Sequence, residues 1–200
     1  EIVITEAKPA GPRGETVWRT TAVIDGTKEM RIFDIETDGL LYNVSTIHCL
    51  AIHDLDNKET YTFNDEGKQE PVVRGIQLLA DADSVIGHNI IGYDLPVIRK
   101  LYGWFDIPGV VIDTLLLSRL YHADMMKLDK KHNWKHMPLK LYGRHSLESY
   151  GYRLGEFKGA FGSTTDWKEW SQEMEDYCVQ DVTVTTKLWQ HFNPYLTGLR

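Results

Sequence analysis

Two acidic residues spaced two apart, Asp34 and Glu36, end a strand-like stretch that begins with the run Met30-Arg-Ile-Phe33. Successive side chains of a β-strand point to opposite faces, so the two carboxylates are expected on the same face. Carboxylates placed side by side repel each other and resist ionising unless a cation lies between them. Because Mg²⁺ and Mn²⁺ prefer oxygen ligands, the pair predicts a divalent-metal site. A solvent-facing acidic strand end, leading into the turn at 37–39, explains the pair equally well.

A second stretch, from residue 84 to 98, combines a short apolar run with two polar residues that follow a glycine. Gly87 ends the run, which is typical of a buried strand, and Asn89 and Asp94 come next. Proline is tolerated in the first turn of a helix, so Pro96 places Asp94 at or near the beginning of one. Taken alone, this pattern favours a capping aspartate and a turn asparagine over a functional site.

A third stretch, from Trp167 to Phe192, has apolar residues at roughly helical spacing. Tyr177 and Asp181 are four positions apart within it and therefore lie on the same face of the predicted helix. A partly buried tyrosine on an amphipathic helix is common, so this pair is also compatible with a purely structural role.

In this order, the three stretches resemble the motifs of the DEDD exonucleases, in the subclass whose third motif is Tyr-x-x-x-Asp. Asp34-Ile-Glu36 matches the first motif, the segment from Asn89 to Asp94 matches the second, and the segment from Tyr177 to Asp181 matches the third. Each motif is weak alone, whereas three motifs in the correct order and at fitting separations form a specific signal.

The segments 112–120, 142–159 and 175–185 are similar to the proofreading domain of family A DNA polymerases of podophage type. The likeness extends over residues 30 to 192 or so. It implies an α/β fold of the ribonuclease H-like kind, with a mixed β-sheet flanked by helices. The strands and helices that the sequence predicts are compatible with that architecture.

The resemblance implies a hydrolase that removes nucleoside monophosphates from the 3′ end of single-stranded DNA or of a frayed primer. Two Mg²⁺ or Mn²⁺ ions would be held by four carboxylates, those of Asp34, Glu36, Asp94 and Asp181. Tyr177 would orient the attacking water rather than act as a strong base, because a free tyrosine has a pKa of about 10. The implied role is proofreading, with a polymerase domain as a partner in the same original chain.

The resemblance also implies a set of substrate-binding residues. Leu40 would wedge against the terminal base, and Asn89 and Tyr93 would contact the terminal nucleotide. Lys140 and Arg144 would bind phosphate. A core leucine, a turn asparagine and a packed tyrosine are the alternative explanations for the first three.

The chain is acidic overall, with a formal net charge of −7, yet positive charge is concentrated between residues 127 and 145. Six basic side chains stand there against one acid, Asp129, and they are Lys127, Lys130, Lys131, Lys135, Lys140 and Arg144. Trp134 and Tyr142 are interleaved with them. Cations that track phosphates and rings that stack on bases are typical of a single-strand contact segment. A solvated basic loop is the alternative, and residues 123–144 are predicted to be a long loop.

Apolar periodicity and turn residues predict the following elements. Strands are predicted at 30–36, 46–54, 59–64, 84–86 and 110–112. Helices are predicted at 71–82, at 94–102, from 114 to 121, from near Ser146 and within 167–192. Asp113 is expected to be the N-cap of the third helix and not a metal ligand.

Three parts are expected along the chain. Residues 1–28 form an N-terminal extension that includes a possible strand at 17–24, residues 29–193 form the exonuclease domain, and residues 194–200 form a tail toward a downstream domain. The chain does not begin with methionine, and we expect Glu1 to follow processing, trimming or excision from a longer chain. Whether the chain is a fragment or a free-standing enzyme stays open.

Several classes of protein are disfavoured by the sequence. No apolar run approaches the length of a membrane span, and no signal peptide is visible. Cys49 and Cys178 lack metal-ligand spacing and are expected to be reduced, buried thiols of a cytoplasmic protein. Two functional alternatives stay open, an exoribonuclease of the RNase D kind and an inactive DNA-holding or protein-docking module.

Overall fold

The computed structural model describes residues 29–67, 69–107, 109–156 and 167–199. Its centre is a five-stranded sheet with the strand order β3-β2-β1-β4-β5. The strands are β1 (Met30–Thr37), β2 (Ile47–Asp54), β3 (Glu59–Asn64), β4 (Ser84–Gly87) and β5 (Val110–Asp113). The predicted extension at 1–28, the end of the 142–159 resemblance and the last residue of the predicted tail lie outside the described residues.

The sheet is mixed, and its topology determines where strand ends meet. β1 pairs antiparallel with β2 and parallel with β4, and β4 pairs parallel with β5. β2 pairs antiparallel with β3. Because β1, β4 and β5 run in the same direction, their carboxyl ends lie at one edge of the sheet. The residues that follow these three strands are therefore brought together.

Six α-helices are present in the described part of the chain. They are α1 (Val72–Asp81), α2 (Asp94–Leu101), α3 (Thr114–Tyr121), α4 (Met125–His132), α5 (Leu147–Leu154) and α6 (Gln172–Leu196). The predicted strands and helices agree with these bounds to within a few residues. The predicted end of the domain at residue 193 falls inside α6, which continues through Pro194.

The prediction of a long loop at 123–144 is wrong, because α4 and a 3₁₀ turn at Leu139–Leu141 lie within it. The residues that α4 buries are Met125 and Asp129. A charged residue on the buried face removes the apolar periodicity that identifies an amphipathic helix, so the sequence pattern does not reveal α4.

The two faces of β1 are covered by different helices. Phe33 and Ile35 belong to an apolar cluster that includes residues of α1 and α2. Ile32, on the opposite face, packs in a cluster with Cys178 and other residues of α6. Side chains alternate along a strand, so Asp34 and Glu36 share the face of Ile32 and point toward α6. Both thiols are buried and free, as the sequence indicated.

A buried ion pair connects α4 to α5. The Nε of Arg153 donates to Oδ1 of Asp129 at 2.9 Å, and its Nη2 donates to Oδ2 at 2.7 Å. The two side chains are 7% and 1% exposed. Burial alone would raise the pKa of the Asp129 carboxyl, but hydrogen bonds from Arg153 and Gly143 hold that pKa below its usual value of 3.8.

Asp129→Asn is expected to lower the free energy of unfolding at neutral pH by about 3–5 kcal/mol, because Arg153 would keep a buried charge without its partner. Since the folded-state pKa of Asp129 lies below the unfolded value, the pair stabilises fully above about pH 4 and is lost as pH falls through the folded pKa. Urea denaturation between about pH 5 and pH 2 should therefore show a steeper loss of stability in the wild type than in the variant.

Asp124→Asn provides the matched control, because Asp124 is an exposed acid beside the same helix and its side chain makes no capping hydrogen bond. This variant should follow the wild type throughout the pH series. Parallel pH profiles for Asp129→Asn and the wild type would contradict the assigned role of the pair.

Candidate active site

Asp34 and Glu36 lie close together where β1 ends. Asp94, Tyr177 and Asp181 lie nearby but outside that close group. Carboxylate oxygens of Asp34 and Glu36 and the Sγ of Cys178 all lie within 4.8 Å of one another. Tyr177 and Asp181 lie on α6, which covers this face of β1. Asp34 and Asp181 line the same cleft. The structure thus brings the first and third sequence motifs together.

Asp94 is the first residue of α2 and is buried, with 5% of its surface exposed. Tyr93 occupies the N-cap position, and α2 has no side-chain capping bond. A purely capping role for Asp94 is therefore wrong. Burial and the nearby charge of Asp34 raise the pKa of the Asp94 carboxyl well above its ordinary value.

The burial and the mutual repulsion of these carboxyls indicate whether a divalent metal ion would fit the site. A buried carboxyl close to a second carboxyl ionises more readily when a cation lies between them. Hard oxygen donors from Asp34, Glu36, Asp94 and Asp181 are the ligands that Mg²⁺ and Mn²⁺ prefer. The site therefore fits divalent ions of this class. The Sγ atom of Cys178 lies 3.7 Å from Oδ2 of Asp34.

Tyr177 is half-buried one helical turn before Asp181, and its ring meets the ring of Trp167 edge-on at 6.3 Å. Burial, followed by the charges of Glu36 and Asp34, raises the pKa of Tyr177 to about 12. The phenol is therefore protonated at neutral pH and can donate a hydrogen bond. It is unsuited to act as a general base, as the sequence analysis expected.

A cleft of about 490 Å³ is lined by Asp34 and Asp181 and also by basic side chains. Arg119 of α3 and Arg144 both line it. Arg144 was a predicted phosphate ligand, and its Nε donates to the carbonyl of Lys140 at 2.8 Å. Sequence reasoning missed Arg119, because nothing local distinguishes it from other surface arginines.

The buried ion pair of Asp129 and Arg153 makes hydrogen bonds to the backbone of the cleft wall that carries Arg144. Gly143 donates its N–H to Oδ2 of Asp129 at 2.8 Å. Nη2 of Arg153 donates to the carbonyl oxygen of Arg144, also at 2.8 Å. The ion pair thus fixes the backbone of the wall on both sides of the peptide bond between Gly143 and Arg144.

A second depression of about 430 Å³ adjoins Glu36 on the other side of the site. Leu40 lines it and is 62% exposed, so the core-leucine alternative is wrong. Tyr93 also lines it, while its hydroxyl bonds to Thr37 and to the carbonyl of Gly39. The hydroxyl group of Tyr93 therefore has a structural role, and the residue also lines the depression.

Two aromatic residues of this depression were missed by sequence reasoning, Tyr42 and Trp167. Tyr42 is 80% exposed. Large exposed aromatic rings beside a polar site are typical of ligand contacts. The position of Tyr42, two residues after Leu40, was the signal available in the sequence.

Asn89 occupies a left-handed backbone conformation with φ of 67°, so its turn role is real. The backbone N–H groups of Asn89 and Ile91 both donate to the carboxylate of Asp113. Asp113 also accepts from Leu115 N–H and caps α3, which confirms its predicted role. Asn89 is exposed and lines the cleft beside Asp34.

One of the two predicted base-stacking rings of the basic segment, Tyr142, is buried. Tyr142 is 8% exposed and packs in a cluster with Met137 and Leu141. Trp134 is half-buried, and its Nε1 donates to Asp129 at 3.0 Å. Tyr142 therefore belongs to a small apolar cluster and the prediction of stacking is wrong for it, whereas stacking by Trp134 stays a prediction.

The comparisons with known proteins agree with this fold. A model of the RNase H superfamily matches residues 31–193. The chain is 34% identical over 184 residues to a DNA-directed DNA polymerase of Escherichia phage T7, and 32% identical over 189 residues to one of Enterobacteria phage T3. Each match covers 80% of this chain and 26% of the polymerase, so the chain spans about a quarter of these relatives.

Solved structures show the same fold. The structure of Brucella melitensis NrnC with bound Mg²⁺ has a TM-score of 0.55 at 21% identity, over 84% of this chain and 74% of that chain. A family B DNA polymerase from the archaeon Pyrobaculum calidifontis has a TM-score of 0.56 at 20% identity, over 97% of this chain and 29% of the polymerase.

Fold and site together define a nuclease-type, RNase H-like domain. The family match extends over most of the sequence, and the chain belongs to the RNase H superfamily. The predicted fold class and the predicted relationship to phage DNA polymerases are confirmed. None of the described helices is both long and apolar enough to cross a bilayer.

Asp34→Asn is expected to weaken Mn²⁺ binding by at least about tenfold, the loss that is typical even of an outer-shell partner. Electron paramagnetic resonance of free Mn²⁺ during a titration measures this directly. Asp38→Asn is the control, because Asp38 lies four residues along the same segment and accepts from Ser45 and Thr46 N–H at 2.9 and 3.1 Å. Equal affinities in the two variants would argue against the metal site.

Proposed function

We propose that this chain is a two-metal-dependent 3′–5′ exonuclease that hydrolyses terminal phosphodiesters of single-stranded DNA and releases nucleoside monophosphates. Its proposed role is proofreading for a replicative polymerase. The observation that carries the proposal is the close approach of Asp34 and Glu36 at the end of β1, with buried Asp94 near Asp34 and with Asp181 lining the same cleft as Asp34. The named relatives, phage DNA polymerases, support DNA as the substrate.

Each residue of the site has a proposed role. Asp34, Glu36 and Asp181 would hold one divalent ion, and Asp34 with Asp94 would hold the second. Such ions, when bound, lower the pKa of the attacking water and offset charge on the leaving 3′ oxygen. Tyr177 remains protonated and would orient the water through its hydroxyl group.

The two cavities on either side of the acids suggest how a strand lies. The depression beside Glu36 has apolar and aromatic walls, including Leu40 and Trp167, and suits the terminal nucleotide. The cleft beside Asp34 is lined by Arg119 and Arg144 and suits the phosphates that follow. The scissile phosphodiester would then lie between the cavities, over the carboxylates. Asn89 would contact the nucleotides from the cleft side.

The decisive experiment uses a DNA strand labelled at its 3′ end and the same strand labelled at its 5′ end, with and without Mg²⁺. We expect immediate release of the 3′ label as a mononucleotide and a descending ladder from the 5′-labelled strand. Asp34→Ala and Asp181→Ala should abolish both, because each removes a carboxylate from the site. A matched RNA strand separates this proposal from an RNase D-like activity, since a preference for RNA requires recognition of the 2′-hydroxyl.

Asp81→Ala is the control in this assay, because Asp81 is an exposed acid of α1 and lines neither cavity. Circular dichroism confirms folding of every variant. Near-normal cleavage by both Asp34→Ala and Asp181→Ala would reject the site. Absence of metal-dependent cleavage in the folded wild type would support the inactive-module alternative.

Arg119→Ala and Arg144→Ala are each expected to weaken binding of a single strand and to reduce the slope of log K against log salt by about 0.7, the value for one lost phosphate contact. Fluorescence anisotropy of a labelled oligonucleotide in EDTA gives the slope without cleavage. Arg74→Ala is the control, because Arg74 is an exposed arginine of α1 and lines neither cavity. An unchanged slope in both cleft variants would remove them from the phosphate path.

A further inference from the structure

A third cavity, of about 490 Å³, lies behind the cleft wall and shares no lining residue with the cleft or with the depression beside Glu36. Its walls come mainly from α4 and α5, with one residue of α6. The apolar lining includes Met125, Leu128, Tyr150 and Leu154. This volume falls within the range of about 300–1,000 Å³ that is typical of small-molecule sites.

The charged groups around this cavity favour an anion. Lys131 and Arg153 line it, together with three histidines at 122, 132 and 191. Asp129 is the one acid among the lining residues, and it is already bonded to Arg153. The excess of basic side chains makes the local potential positive.

Arg153 supplies the specific donor. Its Nε and Nη2 bond to Asp129 and to the Arg144 carbonyl, whereas Nη1 is buried and has no hydrogen-bond partner within the described ranges. The whole side chain is only 7% exposed. A buried guanidinium N–H without a partner is costly, and an anion bound in the cavity that Arg153 lines would offer it an acceptor.

We propose that this cavity is a second ligand site that binds a nucleoside 5′-monophosphate. The phosphate would bond to Arg153 and Lys131, and the base would pack against Leu128 and Leu154. The choice of a nucleotide rests on the proposed function, whose product it is, whereas the preference for an anion with an apolar body rests on the cavity itself. Because Arg153 also holds Arg144, occupancy would reinforce the wall of the substrate cleft.

The test measures binding alone, by isothermal titration calorimetry of the Asp34→Ala chain in EDTA. This background removes both catalysis and metal-assisted binding at the active site. Thymidine 5′-monophosphate should bind at least about tenfold more tightly than thymidine and than inorganic phosphate, because the ligand uses both the basic and the apolar walls. Equal binding of either fragment, or no binding of the nucleotide, would overturn the proposal.

Two leucine variants in the same background locate the site. Leu128→Trp would fill the cavity and should weaken nucleotide binding at least about tenfold. Leu116→Trp is the control, because the two leucines are 46% and 51% exposed and Leu116 lines none of the three cavities. Unchanged affinity in Leu128→Trp, or equal losses in both variants, would overturn the assignment. Neither result bears on cleavage of DNA, which is assayed separately.

Discussion

Repulsion among enclosed carboxylates is the interaction around which this structure is arranged. Asp94 is buried against Asp34, and both burial and that neighbour oppose its ionisation. An arrangement of this kind persists only because the surrounding packing holds it. β1 provides much of that packing, since its other face places Phe33 and Ile35 in the main apolar cluster. The same strand thus contributes to the core with one face and presents acids with the other.

The sheet topology extends this constraint to the cleft. Parallel pairing aligns the ends of β1, β4 and β5, so the turn after β4 and the end of β5 both lie beside Asp34. Asp113 uses this proximity by capping α3 and binding the N–H groups of Asn89 and Ile91 at once. An acid that the sequence analysis assigned to capping therefore also shapes the wall of the site.

The features that the sequence predicted are those that depend on residues close together in the chain. Alternation along one strand is local, so the common direction of Asp34 and Glu36 was predictable, and the same holds for Tyr177 and Asp181 on one helix. A metal-binding role for Asp94 was not predictable from local pattern, because that pattern favours a helix cap. Only the resemblance to the exonuclease motifs indicated such a role. Arg119 reaches the cleft through the packing of α3, which leaves no local trace.

The basic segment shows why composition misled. Lysines at the surface of α4 conceal a helix whose buried face carries Asp129, so its aromatic neighbours resembled exposed stacking rings. The buried pair of Asp129 and Arg153 holds the backbone of the cleft wall through hydrogen bonds to Gly143 and Arg144. The conformation of the wall therefore depends on this pair and not on the local sequence of the loop alone. Gly143 completes this wall, since its φ is +73° and a Cβ there would meet Met126 at 2.9 Å. One guanidinium thus links α4, the wall of the cleft and the third cavity through direct contacts of Arg153.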